Sequence, residues 1–335
     1  MRTRPLLLSH APASPINPIN RHFFEKYFDV AEYREDQQYD PSSTLVVAPN
    51  WSPEPWCDRL YNQGFRMVID NLWEIKNTWK MCKQYQSWDV NRLHIMQTPN
   101  WFWYHESLRL VHIKFQYTPE PTYQHLALMP MHFLKDHRTR LYRAMQPWLD
   151  DCYWSYHGLG HHHMPGDTDM KHWSTQRYVN VDWYNHTCFS MVAETHHDDS
   201  SYKQFGPLAR PYQGPWPFVT EKTFKPIQYQ HPFMVYGQRN ILKFLKDLGF
   251  ETFDNLFDES YDPINSQHIL GDSNTHDKKL KIIIDNVKNF KKGPRDPLTQ
   301  QKIQHNHAHF TDMALVESKF VKEIINPLLE FLNES

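Results

Sequence analysis

Three short apolar runs decide how this chain is read: Thr44-Leu-Val-Val-Ala48, Phe65-Arg-Met-Val-Ile-Asp70 and Arg92-Leu-His-Ile-Met96. The first and third give way to turn residues, Pro49-Asn50 and Thr98-Pro99-Asn100. Short β-branched runs closed in this way mark strands buried on both faces. Helical patterns over 54–62 and 75–86 separate them, so the order β-α-β-α-β predicts a parallel sheet. Leu110–Phe115 reads as one more strand. Upstream, residues 1–43 carry several prolines and little periodicity, which predicts irregular chain with one short helix near Arg21–Phe28.

A second series follows. Gln124-His-Leu-Ala-Leu-Met129 predicts a strand, Leu134–Trp148 a helix bearing Arg138, Arg140 and Arg143, and Cys152–Tyr156 another strand. A loop of His and Gly residues comes next, holding His161-His162-His163. The apolar Cys188-Phe-Ser-Met-Val-Ala193 then runs directly into Glu194-Thr195. After a polar, proline-rich loop over 196–218 come a helix over Thr220–Tyr229, a strand over Pro232–Tyr236 and a helix over Asn240–Leu248. Asp277–Phe290 and Ala314–Leu332 are two further helices. The fold class is therefore α/β, with two α/β layers in tandem and a break at Thr118-Pro-Glu-Pro-Thr122.

Composition narrows the chemistry. The 335 residues carry a formal charge of -2, which speaks against a protein held to nucleic acid mainly by charge. Only 10 glycines are present, and no GxxxxGK[ST] loop is among them. Gly158-Leu159-Gly160 continues into histidines without a third glycine, so a P-loop enzyme or an ordinary nicotinamide-binding domain is excluded. The four cysteines form no CxxC pair and read as reduced core thiols. No stretch approaches the ~20 apolar residues of a membrane span. The expectation is a cytoplasmic protein.

Ligands of open α/β sheets sit beyond the carboxyl ends of the strands. The residues there are Asp70, Asn71 and Glu74 after the Phe65 run, Arg138 after the Gln124 run, and Glu194 and Thr195 after the Cys188 run. Thr220, Glu221 and Lys222 open a helix, with Lys225 one turn on. A helix N-terminus offers free N–H groups and partial positive charge to an anion. The same residues also make an ordinary capped helix start. His161–His163 and His196-His197 invite a metal, but contiguous histidines point in different directions and lack the spacing of an HExxH site, so no metal is expected. Trp101-Phe-Trp-Tyr104 reads equally as a surface for stacking bases or sugars, on the acceptor side, or as core.

Three motifs in order carry a resemblance. Phe189-Ser-Met-Val-Ala-Glu-Thr195, Phe218-Val-Thr-Glu-Lys-Thr-Phe-Lys-Pro-Ile227 and His231-Pro-Phe-Met-Val-Tyr-Gly237 resemble the donor-binding core of α1,3-fucosyltransferase-like glycosyltransferases. Thr195 stands where that family has Asn, and the spacing from Glu194 to Glu221 is longer. Leu245–Phe253, Asp258–Asp262 and Val68–Glu74 also resemble glycosyltransferase-like proteins of large phages and giant viruses. The resemblance implies a GT-B-like fold of two Rossmann-like domains facing a cleft. Residues 1–120 would be the acceptor side, 121–312 would bind the donor, and 313–335 would form a helix returning to the first domain.

It implies, too, an inverting, metal-independent transfer from a nucleotide-diphosphate sugar as co-substrate. Arg138 and Lys222 would converge on the pyrophosphate, with Glu194, Thr195, Thr220, Glu221 and Lys225 completing the donor site. A carboxylate would serve as catalytic base: Glu74, then Asp70, then Glu106. The acceptor would be a hydroxymethylated pyrimidine in phage DNA, with Trp101, Trp103 and Tyr104 supporting a flipped base, or else a glycan or lipopolysaccharide precursor. Two rival readings are a non-catalytic sugar- or nucleotide-binding module on the same fold and a histidine-rich metal hydrolase.

Overall fold

The computed structural model describes residues 4–9, 21–48, 55–70, 88–96, 98–112, 124–164, 180–197, 216–264 and 273–333. The chain divides into two compact units. The architecture is α/β: each unit is built on one five-stranded, mainly parallel sheet with helices in its crossovers, as in Rossmann-like domains.

In the first unit, β1 (Leu6–Ser9), β2 (Asp29–Glu32), β3 (Thr44–Ala48), β4 (Arg66–Asp70) and β5 (Leu93–Met96) lie in the order β2-β1-β3-β4-β5, all parallel. The three apolar runs are β3, β4 and β5. All five residues of β3 are buried, which is why it reads as a continuous apolar run without alternation. The Pro55–Asn62 helix places Trp56, Cys57 and Leu60 against this sheet, in a core with Leu8, Val46, Met67 and Ile69.

Two expectations are corrected here. The first 43 residues are not irregular apart from a helix: besides the Arg21–Glu25 helix they supply β1 and β2. The apolar run of β1 is only three leucines, yet Leu7 and Leu8 are fully buried between two neighbours. Of the expected strand Leu110–Phe115, residues 110–112 belong instead to the Trp101–His112 helix, and 113–115 lie outside the described residues. Trp101, Tyr104 and Leu108 recur at helical spacing and are buried. The 75–86 helix and the break at 118–122 lie outside the described residues.

In the second unit, β6 (His125–Met131), β7 (Cys152–Tyr156), β8 (His161–His163), β9 (Thr187–Ala193) and β10 (Phe233–Tyr236) lie in the order β10-β9-β6-β7-β8. β8 alone of these runs antiparallel, paired with β7. His161–His163 are therefore an edge strand and not part of a loop. The long runs β6 and β9 occupy the middle of the sheet, and β9 is buried at all seven positions. The Asp136–Met145, Glu221–Gln228 and Ile241–Asp247 helices follow β6, a segment after β9, and β10.

The Pro297–Thr311 helix has no counterpart in the sequence reading. Half of its buried face is polar (Thr299 and Asn306 beside Ile303 and Phe310), so it carries no apolar stripe. The last helices return to the first unit. Met313–Phe320 continues through a π-helical turn, Val321–Ile325, into Asn326–Asn333. Phe320 packs on Phe23 and Phe24, with ring centroids 4.9 and 5.3 Å apart. Among the described residues no helix is long and apolar enough to cross a membrane.

Candidate functional site

The carboxyl end of β9 gathers most of the polar residues singled out in the second unit. Glu194, wholly buried, follows the strand. Its Oε1 accepts from the Thr220 N–H at 3.0 Å and the Thr223 hydroxyl at 2.6 Å. Its Oε2 accepts from the Thr195 N–H at 2.9 Å and the Thr220 hydroxyl at 2.7 Å. Thr220 is the N-cap of the Glu221–Gln228 helix, its side chain accepting from the Lys222 N–H. One carboxylate thus ties the strand end to the helix start.

Gly237 lets β10 end close by. A Cβ there would lie 2.9 Å from the Glu194 Cβ and 2.7 Å from the Ile241 Cδ1. Real Cβ atoms do not come that close, so any larger residue would displace Glu194.

Cations crowd the same point. The Lys222 ammonium donates to Thr195 Oγ1 at 3.1 Å, Thr220 Oγ1 at 3.2 Å and Glu221 Oε1 at 2.7 Å. Lys135 donates to the Thr195 carbonyl at 2.7 Å. Arg138 is 1% exposed, and its guanidinium reaches the carbonyls of Phe133, Ala193 and Glu194 at 3.3–3.5 Å. Its Nε has no hydrogen-bond partner among the described residues. Burial lowers the arginine's pKa, partly offset by Glu194, Tyr156 and Glu221.

Burial also pushes the Glu221 carboxyl up, but Lys222 and Lys225 outweigh it and hold the group at about 2. His137 Nε2 donates to the Glu194 carbonyl, 2.9 Å away, and the ring stacks on His197 at 5.0 Å. Burial lowers its pKa to about 4. The pKa of His132 is lowered too, first by burial and then by Arg138 and Lys222, which places both cations near one imidazole.

No protein-family model matches the chain, and no curated protein does. Among solved structures, an α1,3-fucosyltransferase crystallised with GDP is similar to this chain at 9% identity and a TM-score of 0.42, over 94% of this chain and 91% of that one.

Of the expected donor-site residues, Arg138, Glu194, Thr195, Thr220, Glu221 and Lys222 meet at the end of β9, and Lys225 acts on Glu221 through its charge. The acceptor-side aromatics do not present a surface. Trp101, Trp103 and Tyr104 are 0–1% exposed in the first unit. Lys319 lies over the Trp103 ring, and Tyr104 Oη donates to Glu323 at 2.5 Å. Of their two readings, core is the one the structure adopts. Glu106 is equally buried. Asp70 is the last residue of β4, whereas Glu74 lies outside the described residues. Among the described residues no three of His, Cys, Asp and Glu come together as a metal site requires.

Sequence reading missed Lys135, His132 and Thr223. Thr223 had a signal: two threonines three apart at a helix start lie on one face, where a single carboxylate reaches both.

Proposed function

We propose that the chain is a nucleotide-sugar-dependent glycosyltransferase of GT-B type, with the donor's diphosphate held by the second unit at the end of β9. One observation carries this reading. Arg138 is buried on main-chain carbonyls with Nε unfilled, close to Lys222 at a helix N-terminus. A buried cation that touches carbonyls and no carboxylate is costly even with Glu194 and Glu221 nearby, and a diphosphate would supply a charge in direct contact. Lys135, Arg138, Lys222 and Lys225 outnumber Glu194 and Glu221, and Glu194 is spent internally. The motifs at 189–195, 218–227 and 231–237 fall on these same elements.

In the proposed reaction an acceptor hydroxyl attacks the anomeric carbon of the sugar, the bond from that carbon to the diphosphate oxygen breaks, and the nucleoside diphosphate leaves. Lys222, Arg138 and the helix N-terminus stabilise the charge developing on the leaving oxygen. This cation set does the work a divalent metal would otherwise do. Glu221, ionised at any working pH, accepts hydrogen bonds from ribose or sugar hydroxyls. A carboxylate, Glu74 or Asp70, takes the acceptor's proton. The acceptor is a saccharide hydroxyl in preference to a flipped DNA base, because the aromatic rings that would have supported the base are interior.

A thermal-shift screen of nucleoside diphosphates and their sugars tests the donor half, since selective binding adds RT ln(1 + [L]/Kd) of stability. Release of free nucleoside diphosphate, persisting in chelator and lost in Glu74→Gln or Asp70→Asn, tests the chemistry. Stabilisation by none of these compounds overturns the reading. Stabilisation without turnover points to a binding module.

A further inference from the structure

We propose that Glu194 is a positioning residue for Lys222, acting through the hydroxyl of Thr220 and the main chain of Thr195; its consequence for ligand binding rests on the diphosphate reading above.

The resemblance places Glu194 among the groups that touch the donor, but the geometry gives it other work. The carboxylate accepts four hydrogen bonds from Thr195, Thr220 and Thr223, at 2.6–3.0 Å, and the residue is 0% exposed. A carboxylate has about four acceptor positions, so none remains for a sugar or ribose hydroxyl.

What those bonds orient is specific. A threonine hydroxyl has one proton. Thr220 gives its proton to Glu194 Oε2, which leaves the oxygen to act as acceptor, and Lys222 Nζ donates to it at 3.2 Å. Thr195 gives its N–H to the same Oε2 and offers its hydroxyl to Lys222 Nζ at 3.1 Å. Two of the three oxygens that hold the ammonium are therefore placed by one buried carboxylate. The third belongs to Glu221, at 2.7 Å. Thr223 shares the carboxylate yet makes no bond to the lysine, so it separates loss of the clamp from loss of the lysine's placement.

The first measurement needs no ligand. An ammonium held on three oxygens exchanges its protons slowly enough to give a resolved ¹H–¹⁵N signal, assigned here by its loss in Lys222→Ala. The signal is expected in the unaltered chain, in Thr220→Ser and in Thr223→Val, and it is expected to vanish in Glu194→Gln and Thr220→Val. Its persistence in folded Glu194→Gln, or in Thr220→Val should Glu194→Gln not fold, overturns the proposal.

The second measurement is calorimetric titration with GDP, UDP and inorganic pyrophosphate. Glu194→Gln should weaken binding about tenfold, the effect of misplacing one charged hydrogen bond. In a Lys222→Ala background the same change should cost nothing, because a residue acting only through the lysine has no further effect once the lysine is gone. An equal loss in both backgrounds shows a merely structural clamp and overturns the proposal. Binding of none of the three by the unaltered chain overturns the diphosphate reading instead, and the lysine signal alone then decides the positioning role.

Discussion

Two helices of this molecule begin in the same way and end up in different employment. The Trp101–His112 helix is anchored by Glu323, which accepts from Thr98 Oγ1 at 2.7 Å, Asn100 Nδ2 at 2.9 Å and Tyr104 Oη at 2.5 Å. The Glu221–Gln228 helix is anchored by Glu194 through Thr220 and Thr223. In both, one carboxylate from a distant part of the chain gathers donors at a helix start, which suits the positive end of the helix. The surroundings differ. The first start is filled with rings, all buried. At the second, three cations meet within a few residues of the strand end. The shared device is an anchor, and the cations alone set the second apart.

The comparison breaks hardest at its aromatic side. Trp103→Ala should cost about 3–5 kcal/mol of unfolding stability, as large-to-small core changes do, while leaving nucleoside diphosphate affinity unchanged. Denaturant melts beside calorimetric titration would check this. An affinity loss with stability intact would return the ring to an acceptor role.

A pH series probes the other side. His137 falls from 6.5 to about 4 in the folded chain because burial disfavours its charged form. A lowered histidine gives stability that is complete above its unfolded value and is lost as pH falls from about 6.5 through 4. The full effect is roughly 3 kcal/mol at 1.36 kcal/mol per pKa unit. The denaturation midpoint should fall across that window, and His137→Gln should flatten part of the fall. An unchanged slope would mean His137 is not buried as described. Glu221 is lowered as well, so its stabilisation is lost only as pH drops from 4.5 through about 2.

Lys222→Ala should weaken nucleoside diphosphate binding by about 1.5–3 kcal/mol, the range for charged hydrogen bonds. Normal binding by that variant would leave the second helix start no different in kind from the first. The smallest effect is expected for Glu323→Gln, which keeps one acceptor and should cost about 1–2 kcal/mol of stability without touching affinity. A loss of affinity there would show that both anchors serve ligands.

How much of this was legible in the sequence depends on the size of the signal each element carries. β3, β4, β6, β9 and β10 were legible because strands buried on both faces have few polar positions to confuse them. β1 shows only three consecutive leucines in a proline-containing segment, and β8 is three histidines with no apolar residue among them. The Pro297–Thr311 helix was hidden by the side chains that hold it. His305, His307 and His309 hydrogen-bond to the carbonyls of Gly249, Gln228 and Leu248, so its contacts are polar where pattern reading looks for apolar ones.

At the candidate site the residue types were readable and their division of labour was not. Arg138, Lys222 and Glu221 carry their charge visibly in the sequence. That Glu194 spends its carboxylate on N–H and hydroxyl groups of its own chain depends on where Thr220 and Thr223 fall after folding. Trp101–Tyr104 could not be resolved at all, since aromatic rings at helical spacing look alike whether they meet a base or a neighbouring helix.

The return of the last helices to the first unit has a consequence for how the molecule is made. The first unit takes in residues 1–113, 200–216 and 312–335, whereas the second takes in 114–199 and 217–311. A ribosome delivers the chain from its amino end, and domains generally fold as units during synthesis. The second unit can therefore close while synthesis continues. The first must wait with its Phe23 and Phe24 side chains uncovered until Phe320 arrives. A chain cut between residues 311 and 320 would thus release a finished second unit attached to a first one that cannot complete its core.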